Sequence, residues 1–192
     1  WSDSVIINGW SEPDYDTSNP KPVIVLDGNA TTGSSGITIA ADNATVLGLN
    51  IQRFDASGIY IQSGTGSVIQ GNFIGLNVAG TALAETAGLM GEGLQIRGSN
   101  STIGGATAQE RNIIAGSTEG IRMRDATATG NVIQGNYIGT GITGTEALGV
   151  TDDGIDIGTS AANNRIGGTA TGAGNLIWNA TGDGIEFRAD AG

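Results

Sequence analysis

The stretch Val68-Ile69-Gln70-Gly71-Asn72-Phe73-Ile74-Gly75 returns 64 residues later as Val132-Ile133-Gln134-Gly135-Asn136-Tyr137-Ile138-Gly139, with only Phe73 exchanged for Tyr137. Gly80-Thr81 returns at the same shift as Gly144-Thr145. Further along, Thr102-Ile103-Gly104-Gly105-Ala106-Thr107 matches Arg165-Ile166-Gly167-Gly168-Thr169-Ala170, and Asn112-Ile113-Ile114 matches Asn175-Leu176-Ile177, now at a shift of 63. A loop around residues 84–91 therefore changes length between the two copies. Self-similarity at a fixed period is the signature of a stacked-repeat architecture.

A shorter unit lies inside the long one. Gly-apolar-x-apolar occurs at Gly36-Ile37-Thr38-Ile39, Gly58-Ile59-Tyr60-Ile61, Gly93-Leu94-Gln95-Ile96, Gly120-Ile121-Arg122-Met123, Gly154-Ile155-Asp156-Ile157 and Gly184-Ile185-Glu186-Phe187. Between consecutive members sits a second apolar-alternating segment, such as Val46 to Ile51, Val68 to Ile74, Ile113-Ile114 or Val132 to Ile138. Apolar residues at i and i+2 place both side chains on one face of a strand. The strands are bounded by Gly and Asn, which tolerate positive φ at sharp corners.

A four-residue strand cannot bury its face alone, but it can when stacked on the equivalent strand of the next repeat. Equivalent strands run the same way, so the sheets are parallel, and the crossover preference makes the coil right-handed. The expected fold is all-β: a right-handed parallel β-helix, a solenoid of about five or six coils with two or three strands each. A propeller would need antiparallel hairpins at a longer period, and a leucine-rich repeat would need a Leu ladder. The whole chain, 1–192, reads as a single domain, with 1–35 as a lead-in coil region and 36–192 as repeated coils. It starts at Trp1, without Met, and is expected to be a fragment of a longer protein.

Composition narrows the chemistry. There are 34 Gly among 192 residues, no Cys and no His, and 8 Lys+Arg stand against 19 Asp+Glu for a net charge of −11. The Gly follow no collagen period, and the many Ile exclude a disordered chain, so the Gly must punctuate something regular. Without His or Cys there is no Ser-His-Asp site, no cysteine nucleophile and no imidazole- or thiolate-bound zinc. The acidic balance argues against nucleic acid or an anionic membrane as partner. No apolar run approaches the length of a membrane span, so no membrane insertion is expected.

The run Asn131-Val132-Ile133-Gln134-Gly135-Asn136-Tyr137-Ile138-Gly139-Thr140, with Gly144-Thr145, resembles a repeat of large bacterial secreted or cell-surface proteins. So do Asn163-Asn164-Arg165-Ile166-Gly167-Gly168-Thr169 and Gly174-Asn175-Leu176-Ile177. The stretches Val5-Ile6-Ile7-Asn8-Gly9-Trp10-Ser11-Glu12-Pro13 and Val23-Ile24-Val25-Leu26-Asp27-Gly28 resemble the start of such domains. Those domains are right-handed parallel β-helices of the pectate-lyase-like superfold. The resemblance implies an extracellular or bacterial cell-surface location. It is specific for fold and not for activity, because fold does not determine function.

Several residue sets could carry function. Asn72, Asn112, Asn136 and Asn175 fall at equivalent corners and are expected to be structural, bonding the neighbouring coil's backbone. The outward positions of the Gly-apolar-x-apolar strands read Thr38, Tyr60, Gln95, Arg122, Asp156, Glu186, followed by Ala40, Gln62, Arg97, Arg124, Gly158, Arg188. By the resemblance, enzymes of this superfold hold acidic polysaccharides on an exposed sheet face and use Arg or Lys to bind carboxylates and abstract a proton. Tyr60, Arg97, Arg122, Arg124, Asp156, Glu186 and Arg188 thus form a glycan-contact face, with Arg97, Arg122 and Arg124 as its sugar-acid candidates. The competing reading is cross-coil ion pairing, such as Arg122 with Asp156 and Arg188 with Glu186.

Asp152, Asp153, Asp156, Asp183 and Glu186 offer carboxylate pairs for glycoside hydrolysis, as any acidic chain does. Asp14 with Asp16, or Asp152 and Asp153 with Asp156, offer oxygen ligands for calcium. Neither set has EF-hand spacing, and no cofactor is otherwise expected. Trp1, Trp10, Tyr15 and Trp178 would serve as sugar platforms if exposed. Four Asn-x-Thr sequons, at Asn29, Asn43, Asn100 and Asn179, follow from composition.

The expected function is a non-catalytic extracellular module, a rigid structural or adhesion spacer that contacts glycans. Its partners would be neighbouring domains of the same parent protein and polysaccharide. The alternative is a lyase or epimerase acting on acidic polysaccharide, against which stand the single Lys21, the absent His and the modest Gly/Ala/Thr-rich insertions. A third reading is end-to-end self-assembly through open coil edges, since no amphipathic capping helix is visible at either end.

Overall fold

The computed structural model describes residues 4–29, 32–84, 90–158 and 160–188. Trp1 and most of the loop of variable length, residues 85–89, lie outside them. Each coil contributes three short strands. The first coil holds β1 (Ile6–Asn8), β2 (Ile24–Asp27) and β3 (Ile37–Ala40). The second holds β4 (Thr45–Leu47), β5 (Leu49–Gln52) and β6 (Ser57–Ser63). The third holds β7 (Val68–Gln70), β8 (Phe73–Ile74) and β9 (Met90–Ile96), and the fourth β10 (Thr102–Gly104), β11 (Ile113–Ile114) and β12 (Ser117–Met123). The fifth holds β13 (Val132–Gln134), β14 (Tyr137–Ile138) and β15 (Ile155–Ile157), and the sixth β16 (Arg165–Ile166), β17 (Leu176–Ile177) and β18 (Ile185–Phe187). Every strand pairs in parallel with its counterpart one coil away, giving three six-stranded sheets. The fold is a parallel β-helix of six coils.

The stretch that opened the sequence reading is two strands, not one. Gly71 at φ +68 turns β7 into β8, and Gly48 and Gly135 do the same in the second and fifth coils. The apolar alternation runs through this corner because both flanking strands send side chains into one tube. Inside, Ile59, Leu94, Ile121 and Ile155 stack in the third sheet, Ile69, Ile103 and Ile133 in the first, and Ile51, Ile74, Ile114 and Ile138 in the second. All are fully buried, and each such side chain contributes about 1.5–3 kcal/mol.

The corner asparagines differ from expectation in one respect. Asn72, Asn112, Asn136 and Asn175 do not adopt positive φ; the Gly before Asn72 and Asn136 does. The asparagines supply side chains instead, as a ladder. The Asn72 N–H and Nδ2 both donate to Asn112 Oδ1 at 3.0 Å, the Asn112 pair to Asn136 Oδ1 at 3.3 and 3.0 Å, and the Asn136 pair to Asn175 Oδ1 at 3.0 and 3.1 Å. A second ladder, at the corner between third and first sheets, joins Ser101, Asn131 and Asn164. Left-handed backbone is taken instead by the sequon residues Asn43, Asn100 and Asn179, with φ of 53, 51 and 55, and by Asn163, with φ of 58.

The Gly of the Gly-apolar-x-apolar unit is there for space in the first five coils, whereas Gly184 in the last coil has open surroundings. A Cβ on Gly120 would lie 2.5 Å from the Gly154 carbonyl oxygen and 2.5 Å from Ile138 Cγ2, and Gly93 and Gly154 are equally confined. The outer face of the second sheet is covered by its own small core, in which Phe73, Ile113 and Leu76 pack with Leu83, Tyr137, Ile142 and Leu148. The repeated Gly80 and Gly144 lie against the Phe73 and Tyr137 rings, with no room for a Cβ at Gly80. The third sheet presents an outward column, from Thr38 to Glu186, that is polar in every coil.

Candidate functional site

The third sheet brings the predicted outward residues into one column. Its register pairs Thr38 with Tyr60, Tyr60 with Gln95, Gln95 with Arg122, Arg122 with Asp156 and Asp156 with Glu186. The neighbouring column departs from expectation at its start, where an irregularity sets Ala40 opposite Ser63 rather than Gln62. Arg97, Arg124 and Arg188 continue that column, and the amides of all three bond to the preceding coil.

A further column went unread in the sequence. The residue before each strand-opening Gly is Ser35, Ser57, Glu92, Glu119, Asp153 or Asp183, and the pairing stacks Ser57, Glu92 and Glu119 directly. The signal was present as a recurring acid-Gly step in the last four coils. Its consequence is that acids flank the arginines on the same face.

These acids engage Arg122 and Arg188. Arg122 Nη1 lies 3.1 Å from Glu92 Oε1 and 3.2 Å from Glu119 Oε1, and its Nε lies 3.1 Å from Asp156 Oδ2. Arg188 Nη2 lies 2.9 Å from Asp153 Oδ2, while its Nε lies 3.2 Å from Asp156 Oδ1 and 2.5 Å from Glu186 Oε2. Asp156 thus bridges two guanidinium groups and is only 1% exposed although it points away from the tube. The arginine side chains on the adjacent rungs cover it. Both ion pairs that the sequence suggested are present, within a lattice of wider membership.

The titration behaviour follows from this crowding. Burial pushes the Glu119 carboxyl above the usual range, against the opposing pull of Arg122. Burial also acts on Asp153, but the Asp183 N–H at 2.7 Å and Arg188 outweigh it and hold that carboxyl low. Glu186 is raised, first by its hydrogen bond to the Asp153 carboxyl and then by desolvation. Arg188 is held protonated more firmly than a free arginine, chiefly by Asp153.

The other candidates separate. Arg97 pairs with Asp125 at 3.3 Å and its guanidinium lies 5.7 Å from the centre of the Tyr60 ring. Arg124 is half-buried and forms no ion pair among the described residues. Of the calcium candidates, exposed Asp16 closes a local turn by accepting from the Ser18 N–H and hydroxyl at 2.8 and 2.7 Å. Asp153, Asp156 and Glu186 approach one another within 4.8 Å, with the Arg188 guanidinium against all three. Trp10 packs over the corner glycines Gly48 and Gly71 and near Tyr15, whereas Trp178 is exposed.

Toward the first coils the same face changes character. An open groove of about 510 Å³ is floored by Thr38, Tyr60, Gln62, Gln95, Ser57 and Glu92. One wall is the turn at Gly33 and Ser34, whose N–H groups donate to the Asp55 carboxylate at 2.7 and 3.0 Å. Comparison with protein families, curated proteins and solved structures finds no match to this chain.

Proposed function

We propose that the chain is a non-catalytic extracellular module of a bacterial secreted or surface protein, a rigid structural or adhesion spacer that contacts glycans through the outer face of its third sheet. The observation that carries this reading is the ion-pair lattice around Asp156. An arginine that abstracts a proton must shed its own, and the carboxylates around Arg188 hold its guanidinium in the charged form. Arg122 and Arg188 each face three or more carboxylates, so their geometry suits locking adjacent coils together. Two side-chain ladders and three buried Ile-rich columns support rigidity along the same axis. Exposed Ile6 at one end, 65% accessible, and Phe187 at the other, 76% accessible, support neighbouring domains of the same parent protein as partners.

The test is incubation with acidic polysaccharides, following the release of new reducing or unsaturated chain ends. No release is expected. Release of unsaturated ends that disappears in Arg122→Ala or Arg124→Ala, with each variant confirmed as folded, would establish a lyase and overturn the proposal.

A further inference from the structure

The outer face of the third sheet has two halves of opposite chemistry. In the fourth to sixth coils Arg122 and Arg188 are engaged by acids, while Arg124 forms no ion pair among the described residues. In the first three coils the column is hydroxyl, phenol and amide: Thr38, Tyr60 and Gln95, flanked by Ser57 and Gln62. We infer that this groove is a binding site for a neutral, hydroxyl-rich glycan chain, and that acidic polysaccharide is excluded from it. This rests on the glycan-contacting reading of the module and names the class of ligand and its place.

Three observations converge on it. Tyr60 is half-buried in the groove floor, an arrangement that presents an apolar ring beside a hydroxyl. Gln62 and Gln95 each carry both a donor and an acceptor, which matches sugar hydroxyls that also do both. Among the described residues lining the groove the one acidic side chain is Glu92, whose carboxylate accepts from Ser57 Oγ at 3.0 Å and pairs with Arg122 at 3.1 Å. A polyuronate brought here would meet a carboxylate and no cation among the described lining residues, on a chain of net charge −11. Arg97, the nearest cation beside Tyr60, is held by Asp125. The Asp55-anchored turn at Gly33 and Ser34 keeps one wall of the groove in place before ligand arrives, which lowers the ordering cost of binding.

The inference departs from the sequence expectation, which centred sugar binding on Arg97, Arg122 and Arg124. The groove crosses three rungs about 4.8 Å apart, so affinity should rise with oligosaccharide length over about three sugar rings and then level off.

The experiment is calorimetric titration of the whole chain with neutral glucan, xylan and mannan oligosaccharides, against oligogalacturonate and a glucosamine oligomer. Binding of a neutral chain, weakened about tenfold in Tyr60→Ala and also in the milder Gln62→Ala, would support the inference. The unfolding midpoint of each variant confirms that it is folded. Tighter binding of oligogalacturonate, lost in Arg97→Ala, would overturn it and return the site to the arginines. Preference for the glucosamine oligomer would overturn it in favour of a cationic ligand. Absence of binding by every chain would overturn it while leaving the non-catalytic spacer standing, whereas cleavage of any chain would overturn that spacer reading.

Discussion

Replacing Asn136 by Ala cuts the first side-chain ladder at its centre. Asn136 is fully buried. Its Oδ1 accepts from the Asn112 N–H and Nδ2, and its Nδ2 donates to the carbonyls of Ile103 and Gln134 at 3.0 and 3.1 Å. The variant leaves the buried Asn112 N–H without its acceptor and the Ile103 carbonyl without this donor. At about 1–3 kcal/mol per stranded buried group, the expected loss is about 2–6 kcal/mol. For a chain of this size that corresponds to a fall in Tm of roughly 5–20 °C. Asn175→Ala is the internal comparison. It removes the same kind of acceptor from Asn136, but Asn175 is only half-buried, so water can replace the lost bonds and the loss should be smaller. Urea unfolding followed by far-UV circular dichroism measures both. A midpoint for Asn136→Ala within about 0.5 kcal/mol of the parent, or a larger loss for Asn175→Ala, would refute the reasoning.

Two further outcomes follow from the same geometry. Gly120→Ala should cost about 1–3 kcal/mol, because its methyl meets the Gly154 carbonyl oxygen and Ile138 Cγ2 at 2.5 Å; an unchanged unfolding midpoint would show that the close Gly column is dispensable. Glu119→Gln should alter the pH dependence of stability. The folded-state pKa of Glu119 is raised, so the folded chain binds more protons there than the unfolded chain, and this residue lowers stability as pH rises through that window. The variant should therefore gain stability relative to the parent from mildly acidic pH up to neutrality, and a difference independent of pH over a titration of unfolding midpoints would count against the assignment. Asp27 and Asp55 act in the opposite sense. Arg53 first lowers Asp27, and the Gly33 and Ser34 N–H groups lower Asp55, so their contribution is present above the ordinary Asp range and lost as acid titrates them.

The sequence by itself determined the period, the parallel stacking and the identity of the outward column from Thr38 to Glu186. It could do so because side chains alternate with a period of two and a repeated strand can bury its apolar face only against its own copy. It did not separate Val68–Ile74 into two strands, since a corner whose two arms both face one tube keeps the same alternation. Nor did it show why Gly recurs before the apolar-x-apolar triplet of the third sheet: positive φ and lack of space look alike in a sequence, and from Gly36 to Gly154 the neighbouring carbonyl oxygen and Ile methyl decide for space. The burial of Asp156, the sharing of Arg122 among Glu92, Glu119 and Asp156, and the groove around Tyr60 were settled only by tertiary structure. Apart from Glu119, which precedes Arg122 by three residues on β12, those partners lie on successive coils, about thirty residues apart, with insertions of unequal length between them. An outward carboxylate is exposed or buried according to which side chains the next rungs lay over it, and that depends on a three-dimensional register that no local pattern encodes.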